Sequence, residues 1–243
     1  MATDFKKKLM DEMEIRGLKE QTKRGYLSTM RSLCNYHKKR PDQLDLPEIK
    51  EYQRHLAADK KLAPNSINRA ISAIRFFYKN ILGRHWYDDA LPRMRAPRKM
   101  PQVLSEEEVA QMIKAVDNLL YKAILMVTYS AGLRQGEVRN LKISDIDSKR
   151  MVIYIRDGKG GKDRQAQLTP LALAYLRRYW RGYRLKFPVK SDYLFVSIKS
   201  SRTYGKPLSH SAMGYMVSKA AELAGIKKKF TPIFCGTPLP LIF

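Results

Sequence analysis

Two short glycine-containing segments set the strongest limits on how this chain can fold. The first, residues 131–137 (AGLRQGE), follows a strongly apolar run at 119–129 that predicts a buried helix. The second, residues 158–164 (GKGGKDR), lies between strand-like patterns at 151–155 and 164–168 and predicts a hairpin turn. The sequence therefore predicts Arg134 just after a buried helix and Lys159 at the tip of a basic hairpin. Together these two residues are suited to gripping one phosphate.

The N-terminal part of the chain carries helical patterns throughout. We expect helices at about 3–16, 20–39, 45–59 and 64–81, the first of them capped by Gly17. Residues 91–101 contain three prolines among basic residues, which predicts an extended linker. The expected domains are thus a helical DNA-binding domain at 1–90, this linker at 91–101, a second domain at 102–232 and an aberrant tail at 233–243.

The second domain mixes helical and strand patterns. A capping box at Ser105 opens a helix to about residue 116, and Thr169 with Pro170 opens another to about residue 180. A short strand near 193–196 and a helix at about 209–223 follow. The predicted fold class is therefore mainly α with a small antiparallel β-sheet, an α+β architecture.

The charge of the chain points to a polyanionic partner. Lysine and arginine number 47 against 23 acidic residues, giving a net charge of +24, an excess that attracts nucleic acid. RNA and anionic membranes are the rivals, but no apolar run approaches the roughly 20 residues that span a bilayer. The N-terminus lacks the apolar stretch of a signal peptide, and two cysteines are too few for a disulfide framework or a zinc cluster. We expect a cytoplasmic, nucleoid-associated protein that binds double-stranded DNA, with no membrane partner and no metal.

The two phrases, Gly-Leu-Arg-x-x-Glu and then Gly-Lys-Gly-x-Lys-x-Arg, resemble the catalytic domain of tyrosine recombinases, the phage integrase family. The resemblance implies a helical core-binding bundle joined to a catalytic domain. It also implies cleavage of DNA by a tyrosine hydroxyl through a phosphotyrosyl intermediate, without a metal or nucleotide cofactor. By the same resemblance, Arg134 is a clamp arginine for the phosphate, Lys159 is the general acid, and Glu137 supports Arg134.

Each of these residues has a plainer interpretation when it is taken alone. An arginine after a buried helix is often merely solvated, a basic hairpin turn is common, and Glu137 suits the first turn of any helix. A nucleotide-binding P-loop is excluded, because Asp163 stands where that motif needs serine or threonine. The basic residues that we expect to contact DNA are Lys23, Arg24, Arg31, Arg69, Arg75, Arg98, Lys99, Lys162 and Arg164.

The tail departs from the family pattern. A second box, His-x-x-Arg, and the nucleophilic tyrosine are expected after Pro232, where the chain reads IFCGTPLPLIF. Read one base earlier, a back-translation of this tail is compatible with HFLRHSFATHF, which resembles that box. We therefore expect a catalytic domain truncated by a frameshift near Pro232, inactive in DNA cleavage and impaired in the tetramer assembly of the family.

Two other interpretations stay open. The chain is alternatively a non-catalytic DNA-binding protein that occupies or blocks recombination sites. An unrelated helical regulator of DNA or RNA is a third interpretation, which the two paired phrases argue against. If the catalytic domain is truncated, we also expect the helix face around Ile124, Leu125 and Val127 to be partly exposed.

Overall fold

The computed structural model describes residues 3–84, 90–97, 102, 104–158, 161–187, 189–198 and 201–228. The chain divides into two compact units, residues 1–99 and residues 100–243. The described residues are mostly helical, with one small antiparallel sheet in the second unit. This confirms the predicted α+β fold class. The tail at 233–243 lies outside the described residues.

Over the residues that the structure describes, the first unit contains four α-helices and a short 3-10 helix at Pro41–Gln43. The α-helices are α1 (Thr3–Ile15), α2 (Glu20–His37), α3 (Leu46–Ala58) and α4 (Pro64–Asn80). Gly17 ends α1 in the left-handed conformation, with φ of 62°, as its position predicted. The helices bury a shared apolar core, to which α4 contributes one stripe, including Ile67, Ile71 and Phe77. Each such fully buried side chain stabilises the unit by about 1.5–3 kcal/mol, so the four helices hold together through this core.

The first half of the predicted linker is attached to the first unit. Asn68 donates a side-chain hydrogen bond to the carbonyl of Met94 and accepts one from the Met94 amide. The Arg75 guanidinium donates to the carbonyl of Leu91, whose side chain is buried in the core. These side chains satisfy backbone groups of an irregular segment that has no strand partner. Residues 91–94 therefore pack against α4, and the domain boundaries proposed from the sequence stay a prediction.

The second unit contains α5 (Glu106–Ala115), α6 (Leu119–Ser130), α7 (Gln135–Asn140), α8 (Pro170–Gly182) and α9 (His210–Leu223). Three antiparallel strands follow α7: β1 (Ile146–Asp147), β2 (Val152–Ile155) and β3 (Arg164–Gln167), in the order β1-β2-β3. In the β2–β3 register, Ile155 pairs with Arg164. The capping box predicted at Ser105 is present, with reciprocal hydrogen bonds to Glu108.

Helix α6 is the centre of the second unit and corrects one expectation. It is strongly apolar and mostly buried, and α5, α7, α8 and α9 all pack against it. Ile124, Leu125 and Val127 are buried. The expectation that this face would be partly exposed was wrong, because helices within the described part of the chain already cover it.

Three elements of the second unit differ from the sequence-based expectations. The strand expected near 193–196 is reduced to two isolated bridges, Lys142 with Tyr193 and Val196 with Pro207. Helix α7 and strand β1 were not predicted, since six and two residues are too few to show a period.

Candidate phosphate-binding site

The turn after α6 explains the Ala-Gly-Leu-Arg sequence. Gly132 adopts φ of 58°, a left-handed conformation that glycine tolerates without a Cβ clash. The amide of Leu133 donates to the carbonyl of Thr128 at 3.0 Å, and that of Gly132 donates to Tyr129 at 3.3 Å, which together form a Schellman cap. The Leu133 side chain is buried in the core. Gly132 thus reverses the direction of the chain, and the buried Leu133 side chain holds the turn against the core. As a result, Arg134 lies at the N-cap position of α7.

Arg134 is half-exposed and is held by a buried carboxylate. Its Nη1 donates to Glu137 Oε1 at 2.8 Å, and its backbone amide donates to Glu137 Oε2 at 2.9 Å. The Arg134 side chain is 47% exposed, whereas that of Glu137 is 6% exposed. Glu137 therefore caps the first turn of α7 and fixes the guanidinium at the same time. The exposed part of this guanidinium remains available to an anion.

The hairpin formed by β2 and β3, called the lysine hairpin below, approaches the same carboxylate at Gly158. The Gly158 amide donates to the Lys162 carbonyl at 3.2 Å, and the Gly161 amide donates to the Gly158 carbonyl at 2.9 Å. A Cβ at Gly158 would lie 2.6 Å from the Lys162 carbonyl oxygen and 3.7 Å from Glu137 Oε1. Only glycine fits this approach of backbone to backbone. Lys162 is exposed. Lys159, the predicted general acid, lies outside the described residues.

Arg164, at the start of β3, also donates to the Glu137 carboxylate. Its Nη2 donates to Glu137 Oε2 at 2.8 Å and to the Gly132 carbonyl oxygen at 3.2 Å. Its side chain is 37% exposed. Its charge had predicted that Arg164 contacts DNA. In the structure this guanidinium is engaged with the turn that carries Arg134.

The electrostatics of Glu137 follow from these contacts. Burial alone disfavours the charged carboxylate. The hydrogen bonds from the Arg134 amide and guanidinium, together with the Arg164 guanidinium, outweigh burial and lower the pKa of Glu137 below its ordinary value. Glu137 is therefore ionised at neutral pH and keeps both arginines in place.

Helix α7 is itself held by residues whose role the sequence did not reveal. Gln135 Nε2 donates to the His210 carbonyl at 2.8 Å, and Arg139 Nε donates to the Leu208 carbonyl at 2.7 Å. Both contacts fix α7 to the start of α9 and the residues before it. Separations of about seventy residues along the chain leave no local signal for such pairs.

The basic residues proposed for DNA contact in the first unit fall into three groups. Arg24, Arg31 and Arg69 are exposed. Arg75 is partly buried and bonded to the Leu91 carbonyl. Lys23 is buried and pairs with Glu20 at 3.0 Å and with Glu14 at 3.5 Å, so its charge is already compensated. Arg98 and Lys99 lie outside the described residues.

Within the described ranges, no three His, Cys, Asp or Glu side chains are grouped so that they could hold a metal ion. Over the same ranges, none of the helices combines the length and the apolar character needed to cross a bilayer.

Comparison with known proteins identifies the family. Residues 5–88 match the phage integrase N-terminal SAM-like domain, and residues 102–232 match the phage integrase family. The chain belongs to the phage integrase, or tyrosine recombinase, family. It is 38% identical to integrase/recombinase y4qK of Sinorhizobium fredii over 95% of this chain and 72% of that relative. It is 30% identical to tyrosine recombinase XerA of Pyrococcus horikoshii, over 82% of this chain and 68% of XerA.

The fold is also that of a solved recombinase. The crystal structure of a lambda integrase dimer bound to a COC′ core site superposes with a TM-score of 0.65 at 16% identity. The match covers 94% of this chain and 80% of that one. At this identity the likeness establishes the shared fold alone.

Proposed function

We propose that this protein binds duplex DNA as a site-specific recombinase or integrase and grips a backbone phosphate with Arg134. The observation that carries the proposal is the half-exposed Arg134 guanidinium held by the buried Glu137 carboxylate. An arginine fork is always protonated and matches the geometry of phosphate oxygens. A guanidinium already fixed by a carboxylate loses little freedom when an anion binds, which strengthens that interaction.

The second part of the proposal concerns the reaction. In the family, a tyrosine hydroxyl attacks the phosphodiester, and the departing 5′ oxygen takes a proton from the hairpin lysine. We assign these roles here to Arg134 as the phosphate clamp and Lys159 as the general acid, with no metal or nucleotide cofactor. Lys162 and the exposed Arg24, Arg31 and Arg69 supply further contacts with the DNA backbone.

A third part concerns a polypeptide limited to residues 1–243. No His-x-x-Arg sequence follows the hairpin in it, so it has no counterpart of the second family box. We propose that such a polypeptide binds DNA without cleaving it and assembles poorly into tetramers. It would then occupy recombination sites rather than recombine them.

The test measures the salt dependence of DNA binding by fluorescence anisotropy on a labelled duplex. The slope of log K against log salt reports the number of phosphates neutralised, at about 0.9 per contact. Arg134→Gln should weaken binding and reduce the magnitude of this slope by about 1. The matched control is Arg150→Gln, which removes an exposed arginine paired with Asp147 and should leave the slope unchanged. Equal salt slopes for wild type and Arg134→Gln would contradict the proposal that Arg134 contacts a DNA phosphate.

The reaction is tested separately with a suicide duplex that traps covalent intermediates. A polypeptide of residues 1–243 should bind this duplex and yield no covalent adduct on a denaturing gel. An adduct would show that a nucleophile is already present within these residues.

A further inference from the structure

Arg164 is placed to do more than add positive charge to the hairpin. One guanidinium nitrogen, Nη2, donates to both the Glu137 carboxylate and the Gly132 carbonyl. Gly132 is the residue at which the chain reverses after α6, and Glu137 is the residue that fixes Arg134. Arg164 therefore contacts both ends of the turn that presents the clamp arginine.

Arg164 also belongs to the hairpin itself. It is the first residue of β3 and pairs with Ile155, the last residue of β2, where the two strands of the hairpin begin to separate toward Gly158. Gly158, which precedes Lys159 in the chain, lies close enough to Glu137 that an added Cβ would be 3.7 Å from its Oε1. The hairpin and the Arg134 turn thus meet at one carboxylate, and Arg164 joins them through its hydrogen bonds to Glu137 and Gly132.

We propose that Arg164 is a positioning residue, which fixes the lysine hairpin against the Arg134 turn so that the clamp and the hairpin present one geometry to the phosphate. The inference rests on the proposed function and assigns a new role within that site. It replaces the direct DNA contact that charge alone suggested for Arg164.

Lys162 provides a matched comparison on the same hairpin. It is exposed, and its carbonyl, not its side chain, takes part in the hairpin hydrogen bond to Gly158. Loss of the Lys162 charge should therefore leave the hairpin in place. Loss of the Arg164 charge should release the hairpin from Glu137 without removing the turn itself.

The first measurement needs no DNA. Amide hydrogen exchange is followed by mass spectrometry over residues 156–163 in wild type, Arg164→Gln and Lys162→Gln. A charge-assisted hydrogen bond of ordinary strength corresponds to roughly tenfold in an opening equilibrium, so exchange should rise by about that factor in Arg164→Gln. It should stay at the wild-type rate in Lys162→Gln. An unchanged hairpin in Arg164→Gln would overturn the inference.

The second measurement separates positioning from direct contact through a double-mutant cycle. Salt slopes of duplex binding are compared for Arg164→Gln and Lys162→Gln, each in the wild-type and the Arg134→Gln background. Removing a residue that contacts a phosphate directly lowers the magnitude of the salt slope by about 0.9 in both backgrounds. We expect this result for Lys162→Gln. A residue that acts through Arg134 reduces the slope only where Arg134 is present. Two results would overturn the positioning role. In the first, Arg164→Gln lowers the salt slope by the full amount of about 0.9 in the Arg134→Gln background. In the second, Arg164→Gln leaves the salt slope unchanged in both backgrounds.

The two measurements also distinguish this inference from the proposed function. If the wild-type protein does not bind duplex DNA, the proposed function fails, while the exchange experiment still decides whether Arg164 holds the hairpin. If DNA binds and Arg134 matters, but Arg164→Gln changes neither exchange nor slope, only the positioning role fails.

Discussion

Replacing Glu137 with glutamine tests the central contact of the site through its contribution to folding. Glutamine keeps the shape and one acceptor oxygen but removes the charge that two arginines share. Removing one partner from a fully buried ion pair costs about 3–5 kcal/mol, whereas an exposed pair contributes about 0.2–1 kcal/mol. Glu137 is buried, but both of its partners are more than a third exposed, so solvent screens them. We expect a loss of about 2 kcal/mol, between these limits.

The assay is urea unfolding followed by tryptophan fluorescence in a Trp86→Phe background. The remaining tryptophan, Trp180, packs against the core of the second unit and reports its unfolding. The control is Glu222→Gln, which removes an exposed carboxylate paired with Lys219 and should cost less than about 0.5 kcal/mol. If Glu137→Gln unfolds as the control does, the carboxylate does not organise the site and the reasoning fails.

Three further outcomes follow from the geometry. Gly132→Ala places a Cβ at φ of 58° and should cost about 1–2 kcal/mol. The control in the same unit is Gly214→Ala in α9, where an added Cβ would lie 3.9 Å from Gln135 Nε2 and should stabilise by about 0.5–1 kcal/mol in the same unfolding assay. Gly158→Ala brings a Cβ to 2.6 Å from the Lys162 carbonyl oxygen and should destabilise the protein by about 1–3 kcal/mol. Calorimetry measures this change, and an unchanged thermal midpoint would contradict the hairpin geometry. The folded-state pKa of Glu137 is lowered, so its ionised carboxylate stabilises the folded protein. This contribution to the free energy of unfolding is fully present above the ordinary glutamate pKa and is lost as pH falls through the lowered pKa. Urea midpoints should therefore fall less steeply in acid for Glu137→Gln than for wild type, and parallel profiles would argue against the shift.

Local chemistry made much of the fold predictable from the sequence. Gly17, Ser105 and Thr169 mark helix ends and starts because each satisfies backbone groups that a helix leaves open, and the structure places caps at all three. The apolar run of α6 and the alternating strands around the glycine turn were equally readable. In each of these elements, the sequence pattern that predicts the element lies within the residues that form it.

The contacts that assemble the site have no such local signal. Arg164 and Glu137 are far apart in the chain, and charge alone gave the same assignment to Arg164 as to Lys162. The structure separates them, since one is bonded to a buried carboxylate and the other is exposed. Lys23 shows the same effect in the first unit, where two glutamates compensate a lysine that composition counts as free charge.

The shared carboxylate also accounts for how the site can be rigid and still attract an anion. One negative charge on Glu137 faces two arginines that are always protonated, so these three side chains together keep an excess of one positive charge. A second carboxylate would neutralise the cluster, and a site without Glu137 would leave two like charges to repel each other. Arg134 is the more exposed of the two arginines, so the excess charge is most accessible there. Arg164, bonded to both Glu137 and the Gly132 carbonyl, keeps that charge in place.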